Sequence, residues 1–555
     1  MRFLSVLLVL LFALLLFASP SFGGDLSSAQ DMQSADPIAK GALSQKAQRT
    51  AVDFNMSLIR TGLLGFGLLV FIVGAARRNP QASRVRGLIL LGLALLSFAS
   101  YYQFFRFSHV RGFATSDNYH YYVGSKYFPE LGYFGLYECS LFVLTERGLP
   151  PVRGANAQAR NLLNMKIESV DTITQMGADC PARFTEERWE SFGDEMAFFS
   201  TQWPRHLGNA TFLDHGYHPT PAWTLIGGQV GNATDLSEPI STYILSRMDR
   251  VLIGAALIAI GLVFGLETAA LVALLWGTGI LWRYTWVGDA FLRHLWWLTA
   301  LGGVLALKRG LPASAGSMLT LSTLFRIFPG ALGLGYLAHS LRKLLQKHKL
   351  LPTHYRFALG ALGTLVIIST LTEWEWGQGV YVYDDFVYKL KTFASAPISN
   401  DIGLGVLSQW AFPASDTGSM LLRSAGSLIF IALFWRAMQH VKDWEAAAAG
   451  VLLIPILTSP ANYYFSFFAI AALLSARRPR VGLILLTTAL LWNVNGLILY
   501  QQHSEFYWAS VIAVASCFAV VLELAGPLEA NEKAGERAKR LQPNEAGAIS
   551  TGFRP

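Results

Sequence analysis

Runs of apolar residues long enough to cross a bilayer constrain this chain more than any other feature. A helix needs about 17 to 25 such residues to span hydrocarbon, and a single segment inside lipid satisfies its own backbone only as a helix. Runs fall at roughly 4–22, 56–75, 87–105, 251–266, 267–282, 294–307, 312–327, 329–341, 356–372, 420–436, 445–458, 461–476, 481–499 and 507–525. The fold expected is an all-α polytopic membrane protein with about 13–14 transmembrane helices. Composition points the same way. Of 555 residues 53% are hydrophobic and 14% charged, against about 25% charged in soluble domains. That balance excludes a disordered chain, a coiled coil, a collagen and a disulfide-stapled miniprotein. The net charge of +8 is not a nucleic-acid signal, because the basic residues sit in short clusters between apolar runs.

Those clusters set the expected topology. Arg77, Arg78, Arg84 and Arg86 occupy one gap, Lys308 and Arg309 a second, and Arg342, Lys343, Lys347 and Lys349 a third. Arg436 and Lys442 follow, then Arg477, Arg478 and Arg480. If the runs alternate, every one of these gaps lies on one side, which the positive-inside rule makes the cytoplasm. The two long gaps, 106–249 and 373–419, are then external. The expected organisation is a signal peptide or first transmembrane helix at 1–22 and two transmembrane helices within 23–105. A large external loop with amphipathic helices follows at 106–249, then transmembrane helices at 250–372. A second external loop at 373–419, more transmembrane helices at 420–525 and a disordered cytoplasmic tail at 526–555 complete it. The first run has a basic start, a Leu-rich core and small residues at its end, so both cleavage and retention stay open.

Cys139 and Cys180 share the first external loop, and an oxidising exterior lets them pair. The alternative is two unrelated buried thiols. No phosphate-cradling loop of either nucleotide type occurs in the sequence, which argues against an ATP-driven pump.

Polar residues gather at the outer ends of the apolar runs. The third run exits into Ser116-Asp117-Asn118-Tyr119-His120-Tyr121-Tyr122, and an aromatic stretch continues through Lys126 to Tyr137. It reads as an amphipathic segment along the membrane surface. A carboxylate held there is partly desolvated, which raises its basicity and suits a general base acting on a lipid-linked substrate. The bland alternative is a solvated loop Asp. Arg326 ends an apolar run just before Pro329. A charge at that depth is costly and marks a partner or a path, and a guanidinium fork matches phosphate. Simple snorkelling is the competing account. Asp289 and Arg293 are spaced as an i,i+4 pair. Asp384 and Asp385 follow Trp374 and Trp376, a composition that suits sugar rings or an interfacial loop. Asp214-His215-Gly216-Tyr217-His218 is a weak hint of a metal, and Ser459 to Tyr464, with Tyr463, could line an acceptor groove.

The Asp117 to Tyr137 stretch, together with Leu324-Phe325-Arg326-Ile327-Phe328-Pro329 and the later Leu341-Arg342-Lys343, resembles the GT-C superfamily of integral-membrane glycosyltransferases. The branch it is most similar to is the polyprenol-phosphate-mannose-dependent one, glycosyltransferase family 87. The resemblance implies a GT-C-like fold in a bacterial inner (plasma) membrane, multi-pass, with the active site facing the periplasm. It implies transfer, with inversion, of a mannose-like sugar from a polyprenyl-phosphate donor to a glycan or glycolipid acceptor. Asp117 would be the catalytic base and Arg326 would bind the donor phosphate. Tyr121, Tyr122, Lys126, Asp289, Arg293, Asp384, Asp385 and Tyr463 would be candidates for substrate binding. Many members carry a second acidic residue beside the first. Here that place holds Asn118, so no metal ligand is assigned and divalent-metal dependence stays open. The competing classes are an O-antigen or polysaccharide polymerase or ligase, a transporter, and a non-catalytic membrane scaffold. No nucleic-acid partner is expected.

Overall fold

The computed structural model describes residues 37–76, 80–105, 114–149, 157–202, 211–349, 351–376, 381–394, 400–499 and 504–527. The expected segment at 1–22 and nearly all of the tail from 526 lie outside the described residues. What is described is an all-α membrane protein, apart from one two-stranded antiparallel ribbon. That ribbon pairs Gln158–Arg160 with Ile167–Ser169, with Ala159 opposite Glu168.

Among the described residues five helices are long and apolar enough to cross a membrane on their own: Phe54–Val73 within Pro37–Ala76, Pro352–Trp376, Asp416–Ala437, Pro479–Ile498 and Ser504–Ala525. Others are shorter. Leu266–Gly277 has 12 residues and Leu295–Lys308 has 14, or about 18 and 21 Å at 1.5 Å per residue. Both fall short of a hydrocarbon core of about 30 Å, and both are largely buried among other helices. The expected runs at 445–458 and 461–476 are broken into short helical and 3₁₀ pieces, Asp443–Ala449, Gly450–Leu453 and Ile454–Leu457, then Asn462–Phe467 through Ala472–Ala476. Almost every residue of these pieces is buried, so irregular backbone here is sheltered by protein, the condition under which membranes tolerate it.

Small residues let the helices close on one another. A Cβ on Gly316 would strike the Phe357 carbonyl, and one on Gly360 the Ala313 carbonyl. Gly335 and Gly450 meet in the same way between Gly330–Lys347 and the 443–453 segment. Without a hydrophobic drive between helices in lipid, such close backbone approach is what holds them.

The helices run between two poles. At the first, Arg86 pairs with Glu267 at 2.7 Å, Arg309 reaches the Leu262 carbonyl, and Lys308 lies over the Phe264 and Trp444 rings. Lys343 pairs with Asp443, Arg342 with Gln439, Arg477 with Glu445, and Arg478 with the Glu523 and His440 carbonyls. The basic gaps thus converge on one face. The other pole carries a layer built from 114–149, 157–202, 211–232 and the Tyr381–Ala394 helix. Phe128 against Trp376, Phe134 against Tyr388 and Lys389 against the Leu162 carbonyl join its parts. Cys139 and Cys180 form a disulfide within it, with Cα atoms 5.5 Å apart.

The aromatic stretch departs from expectation. It does not lie along a surface: Tyr119, Tyr121, Tyr122, Tyr127, Tyr133 and Tyr137 are all buried. Aromatic residues occupy every face of this segment rather than one stripe, and a helix apolar all round belongs inside. Each phenol finds a partner, as a buried hydroxyl must. Tyr119 donates to Ser140, Tyr122 to Glu195, Tyr133 to the Pro219 carbonyl and Tyr137 to the Thr211 carbonyl.

Candidate functional site

A cavity of about 830 Å³ opens at the second pole, a volume of the size that holds a small-molecule ligand. Arg326, His218, Tyr463 and Tyr464 form one end of its lining. Phe386, Leu390 and Phe393 contribute an apolar part of the lining from the Tyr381–Ala394 helix, and Asp401, Gln409, Trp410, Arg423 and Tyr507 complete it.

Arg326 follows directly on the Pro312–Phe325 helix, with extended backbone, and Pro329 sets the start of Gly330–Lys347. Its guanidinium is buried. Nη2 donates to the Tyr121 hydroxyl at 3.1 Å, and the group lies over the Tyr121 and Tyr464 rings. Among the described residues no carboxylate forms an ion pair with it. Tyr121 reaches this point because residues 119–123 form a π-helical turn; such turns are often found at functional sites. A chain of polar groups follows. Since the Gly216 carbonyl can only accept, His218 Nδ1 donates to it at 3.0 Å, which leaves Nε2 to accept from the Tyr121 hydroxyl at 3.1 Å. Burial, and then the neighbouring Arg326, hold the His218 ring well below its usual range, so it is neutral.

Behind this layer Arg293 pairs with Asp117, Nη1 to Oδ1, at 3.0 Å. The Arg293 guanidinium is enclosed by the Tyr121, Tyr463 and Tyr464 rings at 5.2, 4.5 and 5.5 Å. The second oxygen of Asp117 is buried and makes no hydrogen bond. Asp117 does not itself line the cavity; Arg293 and Tyr121 stand between it and Arg326.

The structure therefore brings together Asp117, Tyr121, Arg293, Arg326 and Tyr463, and places the other candidates elsewhere. Tyr122 and Lys126 join a buried structural network, with Lys126 Nζ 2.7 Å from Glu195 and both side chains bonded to the Thr234 carbonyl. Asp289 is not the partner of Arg293. It is buried against Arg250 and Tyr284, because its backbone at φ 54° turns the side chain away from the helical i,i+4 geometry. Asp384 and Asp385 are exposed, since the Tyr381–Ala394 helix is amphipathic and presents its phenylalanines to the cavity instead. The residues of the Asp214 to His218 segment do not converge. His218 bonds Tyr121, while Asp214 bonds its neighbour His215 and lies 4.0 Å from His120. Among the described residues only Glu138, Cys139 and Cys180 cluster with metal-ligand spacing, and both thiols are consumed by the disulfide.

Sequence reasoning missed Asp401, Gln409, Trp410, Arg423 and Tyr507. They come from three separate segments, and no spacing links them. One signal was available: Arg423 is a lone charge near the start of an apolar helix, the same anomaly that singled out Arg326.

No family model matches this chain, and it has no match among curated proteins or solved structures.

Proposed function

We propose that this protein is a membrane glycosyltransferase of the GT-C type. It moves a mannose-like sugar from a polyprenyl-phosphate donor to a glycan or glycolipid acceptor, with inversion, on the external face of a bacterial inner membrane. One observation carries the reading: Arg326, a guanidinium buried at the end of an apolar helix, lines a cavity and forms no ion pair with any described carboxylate. Such a charge is costly to keep there unless an anion visits. Its fork of donors fits a phosphate and stabilises the charge that develops as the phosphate leaves. The acceptor hydroxyl attacks the anomeric carbon and its proton goes to a carboxylate, for which the sequence nominates Asp117. The disulfide and the basic gaps gathered at the opposite pole support an external site.

A second reading has its own support. Arg293, Arg326 and Arg423 share one pole, as suits a polysaccharide polymerase or ligase acting on lipid diphosphates. A transfer assay on the full chain in liposomes separates the two. Radiolabelled mannose supplied on polyprenyl monophosphate should reach an acceptor lipid fraction, and Arg326→Ala should abolish this. Transfer only from sugar linked through a diphosphate would replace the first reading with the second. No transfer from either donor would remove both.

A further inference from the structure

Among the described residues, Asp401 is the one carboxylate that lines the cavity. A short strand-like contact holds it. Asp401 bridges Ala461, Ile402 N–H donates to the Pro460 carbonyl at 3.1 Å, and Asn462 N–H donates to the Asn400 carbonyl at 2.9 Å. The side chains of Asn400 and Asn462 are themselves bonded at 2.7 Å. The residues that immediately follow, Tyr463 and Tyr464, enclose Arg293, and Tyr464 also lies over Arg326. The paired segments thus bring a carboxylate to the cavity and set Tyr464 over the Arg326 guanidinium in the same lining.

The backbone of Asp401 is fixed, yet its carboxylate accepts no hydrogen bond from any described residue. The ionisable groups around the cavity are Arg326, His218, Arg423, Tyr463, Tyr464 and Tyr507, and none forms an ion pair or hydrogen bond with it. Arg423 spends its guanidinium on the Leu457 carbonyl. Asp117, by contrast, has one oxygen committed to Arg293 and lies outside the lining.

We infer that Asp401, rather than Asp117, takes the acceptor's proton, and that Asp117 acts at one remove by positioning Arg293 and the Tyr121 layer. This rests on the transferase reading above. In the step, the acceptor O–H bond breaks and its proton passes to Asp401. The oxygen forms the new bond to the anomeric carbon, and the carbon–phosphate-oxygen bond breaks with its electron pair leaving on polyprenyl phosphate beside Arg326. Burial pushes the Asp401 carboxyl up to about 7, near the value that best suits a general base at neutral pH. The base works ionised, so the rate should fall as pH drops below that value.

The test uses the full chain in detergent, with citronellyl phosphate as the binding probe and citronellyl-phosphoryl mannose as donor, water serving as acceptor. Asp401→Asn should bind citronellyl phosphate within about twofold of wild type but cleave the donor roughly 10²–10⁴-fold more slowly. The acidic limb of the pH–rate profile should vanish, and Asp401→Glu should restore it in part. Asp117→Asn should keep that limb. Near-normal cleavage by Asp401→Asn with its limb intact, or a limb lost in Asp117→Asn, overturns the inference and leaves the transferase reading standing. If wild type neither cleaves the donor nor binds citronellyl phosphate better than Arg326→Ala does, both fall together.

Discussion

At the basic pole, Arg86 meets Glu267, Arg477 meets Glu445 and Lys343 meets Asp443, while Arg309, Arg342 and Arg478 donate to backbone carbonyls or a side-chain amide. At the cavity pole Arg293 shares its surroundings with three tyrosines and one aspartate, while Arg326 has a tyrosine hydroxyl and aromatic faces only. The residue types are the same and their settings differ. The part-exposed Arg86–Glu267 pair contributes little, and the buried Arg478 is satisfied by backbone carbonyls. Arg326 instead lines a cavity, where a buried cation without a carboxylate costs stability unless a ligand supplies the missing charge. The comparison teaches that an arginine without a carboxylate is informative where it lines a cavity, and not where its guanidinium is spent on carbonyls.

The contrast can be broken first at Arg293. Arg293→Met should leave Asp117, partly buried with one oxygen fully enclosed, without its cation and cost roughly 3 kcal/mol, read as a large fall in the unfolding temperature of the purified protein. A cost under about 1 kcal/mol would make Arg293 equivalent to a surface arginine. Next is the covalent tie, which the cavity pole has and the basic pole lacks among the described residues, where the one free thiol described is Cys517. Replacing Cys139 and Cys180 together by Ser should cost about 2–4 kcal/mol. Reductant should destabilise the wild type by a similar amount and leave the double variant unmoved. Arg326→Ala should weaken citronellyl phosphate binding by about ten- to a hundredfold, the equivalent of roughly 1.5–3 kcal/mol for a charge-assisted bond. Arg326→Lys should fall between, because it keeps the charge and loses the fork. The smallest effect belongs to Arg86→Ala, whose pair with a half-exposed Glu267 should contribute under about 1 kcal/mol. A loss above that would mean the pair acts together with the buried Arg477–Glu445 pair of the same pole.

Much of the bundle was legible in the sequence because lipid imposes a simple demand. An apolar run of sufficient length is a helix, and the helices at 352–376, 416–437, 479–498 and 504–525 fall where the runs are. The exterior was harder. Tyr119 to Tyr137 was read as a surface segment because aromatic richness signals an interface as readily as a core, and only the partners of the phenols tell them apart. The pairing of Asp289 was misread because helical spacing was assumed for a residue that sits at positive φ. Arg326 could be found because one charge in an apolar run is conspicuous. Asp401 could not, because its importance comes from where the 400–402 and 460–462 segments meet, and no local pattern announces a contact 60 residues apart.

The Gly330–Lys347 helix has a consequence of another kind. It starts four residues after Arg326 and is anchored by Lys343 to Asp443 at the opposite pole. From Gly330 to Lys343 it rises about 20 Å. One stiff rod therefore joins the Lys343–Asp443 pair to the turn that carries Arg326, so a shift at the basic pole is carried to the cavity lining.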